Sequence, residues 1–271
     1  MYNAASHIRP HERVPTGIAG LDAILRGGFL RGGMYIIFGQ PGTGKTILAN
    51  QICFDHVGRG GQAVYVTLLS ETHGRLLSHL ESLACFDPRP IARALYDVSG
   101  YRVLARDGLE ALLEMLRRLV RDHRASMLVL DSLVHAEGFA ESPIAFKRFI
   151  HELHTFVDAA RCTTLLLTPL DGERPHPEYT VVDGLIELSD QRIGLRAVRE
   201  LEVLKIRGSG YLRGRHSFEI TDAGIVVYPR LEALLGTRPG MAGASHARLS
   251  VGIPGLDSML QGGLLRGSTT L

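Results

Sequence analysis

A chain of 271 residues, 45% apolar and 21% charged, can bury a substantial core, which excludes an intrinsically disordered polypeptide. Its formal net charge of +2 excludes both an acidic tail and a basic coat for nucleic acid, so local charge must decide about partners. Cys53, Cys85 and Cys162 are too few and too separated for a disulfide framework, no run approaches ~20 apolar residues, and residues 1–15 lack the apolar centre of a signal peptide. The expected setting is therefore the cytoplasm, with no membrane association.

In chain order, residues 1–12 read as a tail and residues 13–230 as one α/β domain, in which short apolar runs alternate with helical patterns. Residues 34–38 form the first apolar strand. They run into Gly39, Gln40, Pro41, Gly42, Thr43, Gly44, Lys45 and Thr46, which match G-x-x-x-x-G-K-[ST] in its required place between a strand and a helix. Here the glycines let the backbone approach phosphate oxygens, and the amides and dipole at the helix start favour an anion. Lys45 should reach the β- and γ-phosphates of ATP and Thr46 should place its hydroxyl on Mg2+. Ile47 completes the stretch expected to hold the nucleotide.

Residues 63–68 form the next strand, read as a parallel neighbour of the first. Glu71 follows it, placed to orient the attacking water at the carboxyl edge of the sheet; the bland reading is a surface Glu opening a helix. Asp107 and Glu110 have capping-box spacing ahead of an amphipathic run to Asp122. The strand at residues 127–130 ends in Asp131 and Ser132, as a Walker B element adjoining the phosphate-loop strand should, and Asp131 is expected to hold a magnesium-bound water. Ser132 either positions the strand end or senses the phosphate, or is a simple helix cap. Ser142 and Pro143 open a helix toward Ala160. Its His151 and His154 fall one residue short of H-E-x-x-H and read as a solvated face.

A strand at residues 163–168 precedes four more candidates, at 185–188, 201–206, 218–221 and 225–228, whose glycine punctuation predicts an antiparallel extension of the sheet. Arg192, Arg196, Arg199, Lys205, Arg207, Arg213 and Arg215 crowd this region. Three readings stand side by side: a solvated face, a nucleic-acid contact, or cations reaching the triphosphate of a neighbouring subunit. Lys205 and Arg207, alternating on one strand edge, fit the third best. Residues 231–247 read as a linker. Residues 248–271 (RLSVGIPGLDSMLQGGLLRGSTTL) then repeat residues 13–36 (RVPTGIAGLDAILRGGFLRGGMYI) with half of the positions identical. They are expected to open a second, tandem copy and to stand as an orphaned arm. Gly39 maps just beyond Leu271, so the chain is expected to be part of a protein about twice as long.

Together, RVPTGIAGLDAILRGGFLRGG, GQPGTGKT, YVTLLSETH, MLVLDS and VLKIRGSGYLRGRHSFEIT resemble the KaiC family of RecA-superfamily ATPases over nearly all of residues 13–230. That resemblance implies a RecA-like P-loop fold, with a mostly parallel sheet between helices and an antiparallel extension. It also implies a hexameric ring with ATP between subunits, and slow hydrolysis coupled to conformational signalling through a regulatory protein partner. The family's founding members are circadian clock proteins. By the same resemblance Lys205 and Arg207 match the trans-acting pair of a K-x-R-G motif, and Glu71 matches one of a catalytic Glu-Glu pair. TLLSET offers one Glu where T-F-E-E-T is more usual, and Tyr211 stands where clock members carry His. Serine/threonine autokinase activity belongs, in the family, to the second copy; Thr180 holds the corresponding place in the first.

Two other functions compete with such an ATPase. A RecA- or RadA-like recombination or helicase motor needs a cationic groove, yet residues 136–142 and 171–182 carry Glu137, Glu141, Asp171, Glu173 and Glu178 against Arg174 alone, which counts against nucleic acid. A nucleotide-binding scaffold with negligible turnover is the third reading, left open by the single Glu.

Overall fold

The computed structural model describes residues 12–68, 93–170, 177–235 and 247–266. The chain divides into two compact units, Met1–Arg230 and Leu231–Leu271.

The first unit is built on a nine-stranded sheet. Its strands are β3 (Met34–Gly39), β4 (Ala63–Thr67), β5 (Leu95–Ser99), β6 (Met127–Asp131), β7 (Thr163–Pro169), β8 (Gly184–Ile193), β9 (Arg196–Ile206), β10 (Arg215–Thr221) and β11 (Gly224–Tyr228), in the order β11-β10-β9-β8-β3-β7-β6-β4-β5. The apolar runs are strands because both of their faces are covered. In β3, Tyr35 and Ile37 join one buried cluster while Ile36 and Phe38 join the other, and in β6 Met127 and Val129 are divided in the same way from Leu128 and Leu130. Helices α1 (Ala19–Ile24) and α2 (Lys45–Gly58) supply buried residues to the first cluster; α3 (Tyr101–Asp122) and α5 (Pro143–Ala159) supply the second. Between them, α4 (Leu133–Gly138) follows β6.

From β8 to β5 every pairing is parallel. β9, β10 and β11 continue the sheet antiparallel, so the extension read from the glycine spacing is present. Two sequence expectations need correction. The Walker B strand does not adjoin the phosphate-loop strand: β7 lies between β3 and β6, and β4 lies one strand further out. The helix ahead of Asp122 starts at Tyr101, and the presumed capping box marks a break within it, where Gly108 takes φ +78° and ψ −166°. The Ser142 cap is present, its hydroxyl accepting from the Ala145 amide at 3.1 Å, with Phe146, Phe149, Ile150, Leu153 and Val157 buried behind it at helical spacing.

The repeated sequence is also a repeated structure. β1 (Arg13–Val14) and β2 (Phe29–Leu30) pair around α1. In the second unit, where α6 (Leu231–Leu235) comes first, β12 (Arg248–Leu249) and β13 (Leu264–Leu265) pair in the same way around α7 (Pro254–Met259). Arg13 donates to the carbonyls of Leu25 and Gly28, and Arg248 donates to those of Leu260 and Gly263. Asp22 accepts from the Thr16 amide as Asp257 accepts from that of Val251. Burial differs. Ile18 and Ile24 are 4% and 0% exposed, whereas their counterparts Ile253 and Met259 are 58% and 82% exposed. The segment 248–265 thus holds its local shape by short-range hydrogen bonds while its apolar face stays largely in solvent.

Candidate functional site

The phosphate loop leaves β3 at Gly39 and enters α2 at Lys45. A side chain at Gly39 would put its Cβ 2.0 Å from the Leu188 carbonyl oxygen of β8, so close approach of two backbones requires glycine there. Gly44, at the N-cap of α2, takes φ +101°, which directs the chain into the helix. Gln40, Pro41 and Gly42 are exposed, and Thr43 is buried with its hydroxyl donating to the Gln40 carbonyl at 2.9 Å. Lys45 folds back over the loop, its Nζ donating to the carbonyls of Gly39 at 2.7 Å and Gln40 at 2.9 Å. Burial lowers the pKa of this ammonium, and the Asp131 carboxylate partly offsets the effect. Ile47 packs partly buried against the first core cluster, so its side chain anchors α2.

β7 separates the two Walker strands by roughly 10 Å, two strand spacings. Helix α2 closes the gap. Thr46 Oγ1 donates to Asp131 Oδ2 at 3.0 Å, and the Tyr65 hydroxyl on β4 donates to the same oxygen at 2.8 Å. Asp131 is 7% exposed. Burial raises its carboxyl pKa, opposed by the bonds from Tyr65 and Thr46 and by the charge of Lys45. A divalent cation beside this carboxylate would stabilise its ionised form, and a hard cation prefers the oxygen donors that Asp131 and Thr46 offer. The residues present therefore fit magnesium. Ser132 makes no side-chain cap to α4, and the Asp131–Ser132 peptide is cis.

Sequence reasoning missed Tyr65. The signal was a phenol in the strand AVYVT: a fully buried tyrosine needs a hydrogen-bond partner, and here the partner is the Asp131 carboxylate. Tyr65→Phe should raise the magnesium concentration needed for half-maximal nucleotide binding about tenfold, because outer-shell groups that orient a metal site typically matter on that scale. A magnesium titration of bound nucleotide checks this; an unchanged midpoint refutes it.

Glu71 lies outside the described residues. Lys205 and Arg207 do not meet the chain's own phosphate loop. Gly39 pairs across β8 with the level of Leu201, and β9 then runs toward the opposite sheet edge, placing Lys205 and Arg207 about 13 and 20 Å further along. There Lys205 Nζ donates to the carbonyls of Tyr179 at 2.8 Å and Val182 at 2.7 Å, while Arg207 donates to those of Val181 and Thr180. The other cations of the basic segment scatter. Arg199 pairs with Asp190, Arg215 pairs with Glu200 and Glu202, and Arg192, Arg196 and Arg213 are exposed. His154 is not on a solvated face: its Nε2 lies 2.9 Å from Asp183 Oδ2, and this bond raises the imidazole pKa. His151 is exposed, and among the described residues no group of His, Cys, Asp and Glu is arranged to hold a metal.

A profile of the KaiC ATPase family matches residues 14–232. A UPF0273 protein of Thermotoga maritima is 32% identical over 238 residues, spanning 80% of this chain and 96% of that protein. The circadian clock oscillator protein KaiC of Parathermosynechococcus lividus is 28% identical over 278 residues, spanning 98% of this chain and 50% of that protein, so the chain has about half the length of these clock relatives. Among solved structures, the KaiC-like protein PH0186 of Pyrococcus horikoshii superposes with a TM-score of 0.72 at 28% identity, covering 81% of this chain and all of that one.

Proposed function

We propose that this chain, which belongs to the KaiC family of ATPases, binds magnesium-ATP at the interface between its own copies and hydrolyses it to drive conformational signalling to a regulatory partner. The convergence of Lys45, Thr46 and Asp131 beneath the phosphate loop carries this reading. The loop amides and the N-terminus of α2 hold the phosphates, and Lys45 swings from the Gly39 and Gln40 carbonyls to the β- and γ-phosphate oxygens. Thr46 and Asp131 would hold magnesium, which would supply neutralisation of the charge developing on the phosphates. Thr46 would offer it a hydroxyl oxygen, and Asp131 would hold a water bound to it. Glu71 orients the attacking water.

Lys205 and Arg207 complete the site from a neighbouring subunit. Their position at the sheet edge away from their own loop supports service in trans. A contact of this kind is head-to-tail and closes into a ring when the rotation permits; a homo-hexamer is the form we expect, in the cytoplasm and without nucleic acid.

Solution mass with and without ATP, combined with turnover measured across protein concentration and with added single-stranded DNA, tests the reading. We expect ATP-dependent assembly, turnover per chain that rises as subunits associate, and a large loss in Glu71→Gln. Strong stimulation by DNA would point instead to a recombination motor, and full activity in Glu71→Gln would remove that residue as the water-orienting base.

A further inference from the structure

Four consecutive carbonyls, of Tyr179, Thr180, Val181 and Val182, receive both Lys205 and Arg207. The residues that bear them are fixed at two points on the phosphate-loop strand. At one end the Tyr179 ring packs on Phe38, centroids 5.3 Å apart, and Phe38 directly precedes Gly39. At the other end Asp183 is tied to the start of β3. Its carboxylate accepts from the Met34 amide at 3.0 Å and its own amide donates to the Met34 carbonyl at 2.8 Å. The Asp183 carbonyl in turn accepts from the Arg207 amide at 2.8 Å. Residues 179–183 are therefore anchored to β3 at both ends and hold the two cations through their carbonyls.

We infer that Tyr179 is a positioning residue for the cations presented to the neighbouring subunit: its ring rests on the strand that carries its own phosphate loop, and its carbonyl sets Lys205. The inference rests on the proposed service of Lys205 and Arg207 in trans. Lys and Arg side chains lose rotamer freedom when fixed, so holding them before the neighbour's triphosphate arrives favours the step in which they act. Without the ring, the Tyr179 and Thr180 carbonyls lose their seat on Phe38, and the cations lose their aim. The effect should fall on a neighbour's turnover and spare the chain's own nucleotide affinity.

Mixing experiments separate these ideas. Alone, Tyr179→Ala should turn over ATP at least about tenfold more slowly with KM within about twofold; Tyr179→Phe, which keeps the ring, should restore the rate. Assembled in equal amounts with a loop-defective chain (Lys45→Ala, or Asp131→Asn if assembly needs bound nucleotide), Tyr179→Ala should recover to about a quarter of the wild-type rate. One interface in four then joins an intact loop to intact donors. The double variant Lys205→Ala/Arg207→Ala should be rescued in the same way. If the double variant is rescued and Tyr179→Ala is not, the role of Tyr179 is overturned while the trans reading stands; if neither is rescued, the trans reading falls with it. Tyr179→Leu, which keeps apolar bulk without the ring, serves the same test should Tyr179→Ala fail to fold.

Discussion

Replacing Lys205 and Arg207 together by alanine should lower ATP turnover of the assembled protein by about a thousandfold or more, the scale on which trans-acting cations work in phosphoryl transfer, while ATP affinity of the single chain hardly changes. The asymmetry follows from the sheet. Lys205 pairs with Leu185 and Arg207 follows the last residue of β9, both toward the edge opposite Gly39, so neither reaches the phosphate loop of its own subunit. Single-turnover hydrolysis alongside equilibrium ATP binding distinguishes the outcomes: equal losses in both would mean that the pair supports the fold and not the reaction. A structural contribution exists, since the two side chains satisfy carbonyls of residues 179–182, and thermal unfolding of the variant should be recorded with the kinetics.

The second large effect concerns Lys45. Lys45→Ala should lower turnover by about a hundredfold or more, because it removes a preorganised charge on the transferring phosphoryl group, and it should abolish stabilisation by ATP. In the wild type, ATP at a hundred times its Kd adds about 2.7 kcal/mol to stability. In the variant that increment should vanish, with the unliganded midpoint unchanged or slightly higher. The sign comes from the ammonium itself. Its pKa is lowered on folding by burial, so its charge opposes folding at neutral pH, and that opposition fades as pH rises from the folded pKa toward the ordinary value of 10.5. Scanning calorimetry with and without magnesium-ATP measures both parts. A drop in the unliganded midpoint would mean that the bonds from Lys45 to the Gly39 and Gln40 carbonyls outweigh the buried charge.

What could be read from the sequence and what could not divides along chain separation. The phosphate loop is legible because its residues are contiguous, and Asp131 stands out only because that loop lies upstream, since a carboxylate ending a strand is otherwise often a helix cap or loop residue; the bond from Thr46 brings the two together. Tyr65 is not legible, since its partner lies 66 residues away and nothing in AVYVT names it. Strand order was illegible for a related reason: β4, β6 and β7 are all apolar on both faces, and such runs carry no record of their neighbours. β5 escaped notice because LYDVS at the edge of the sheet is only half apolar, its last four residues partly exposed. His154 was misread because the spacing of histidines on one helix says nothing about Asp183, 29 positions later.

The central place of β3 has a consequence for how the protein is made. Its neighbours in the sheet among the described residues are β7 and β8, which begin at Thr163 and Gly184, so the strand bearing the phosphate loop emerges from the ribosome more than a hundred residues before either can pair with it. Pairings between such distant segments form slowly, and an unpaired apolar strand is a hazard while it waits. The ability to grip a triphosphate therefore arrives late in synthesis, after β8 has docked. A nascent chain halted at about Pro169 should carry the complete loop sequence and still fail to hold nucleotide, so that ATP binding by this unit marks the end of its folding.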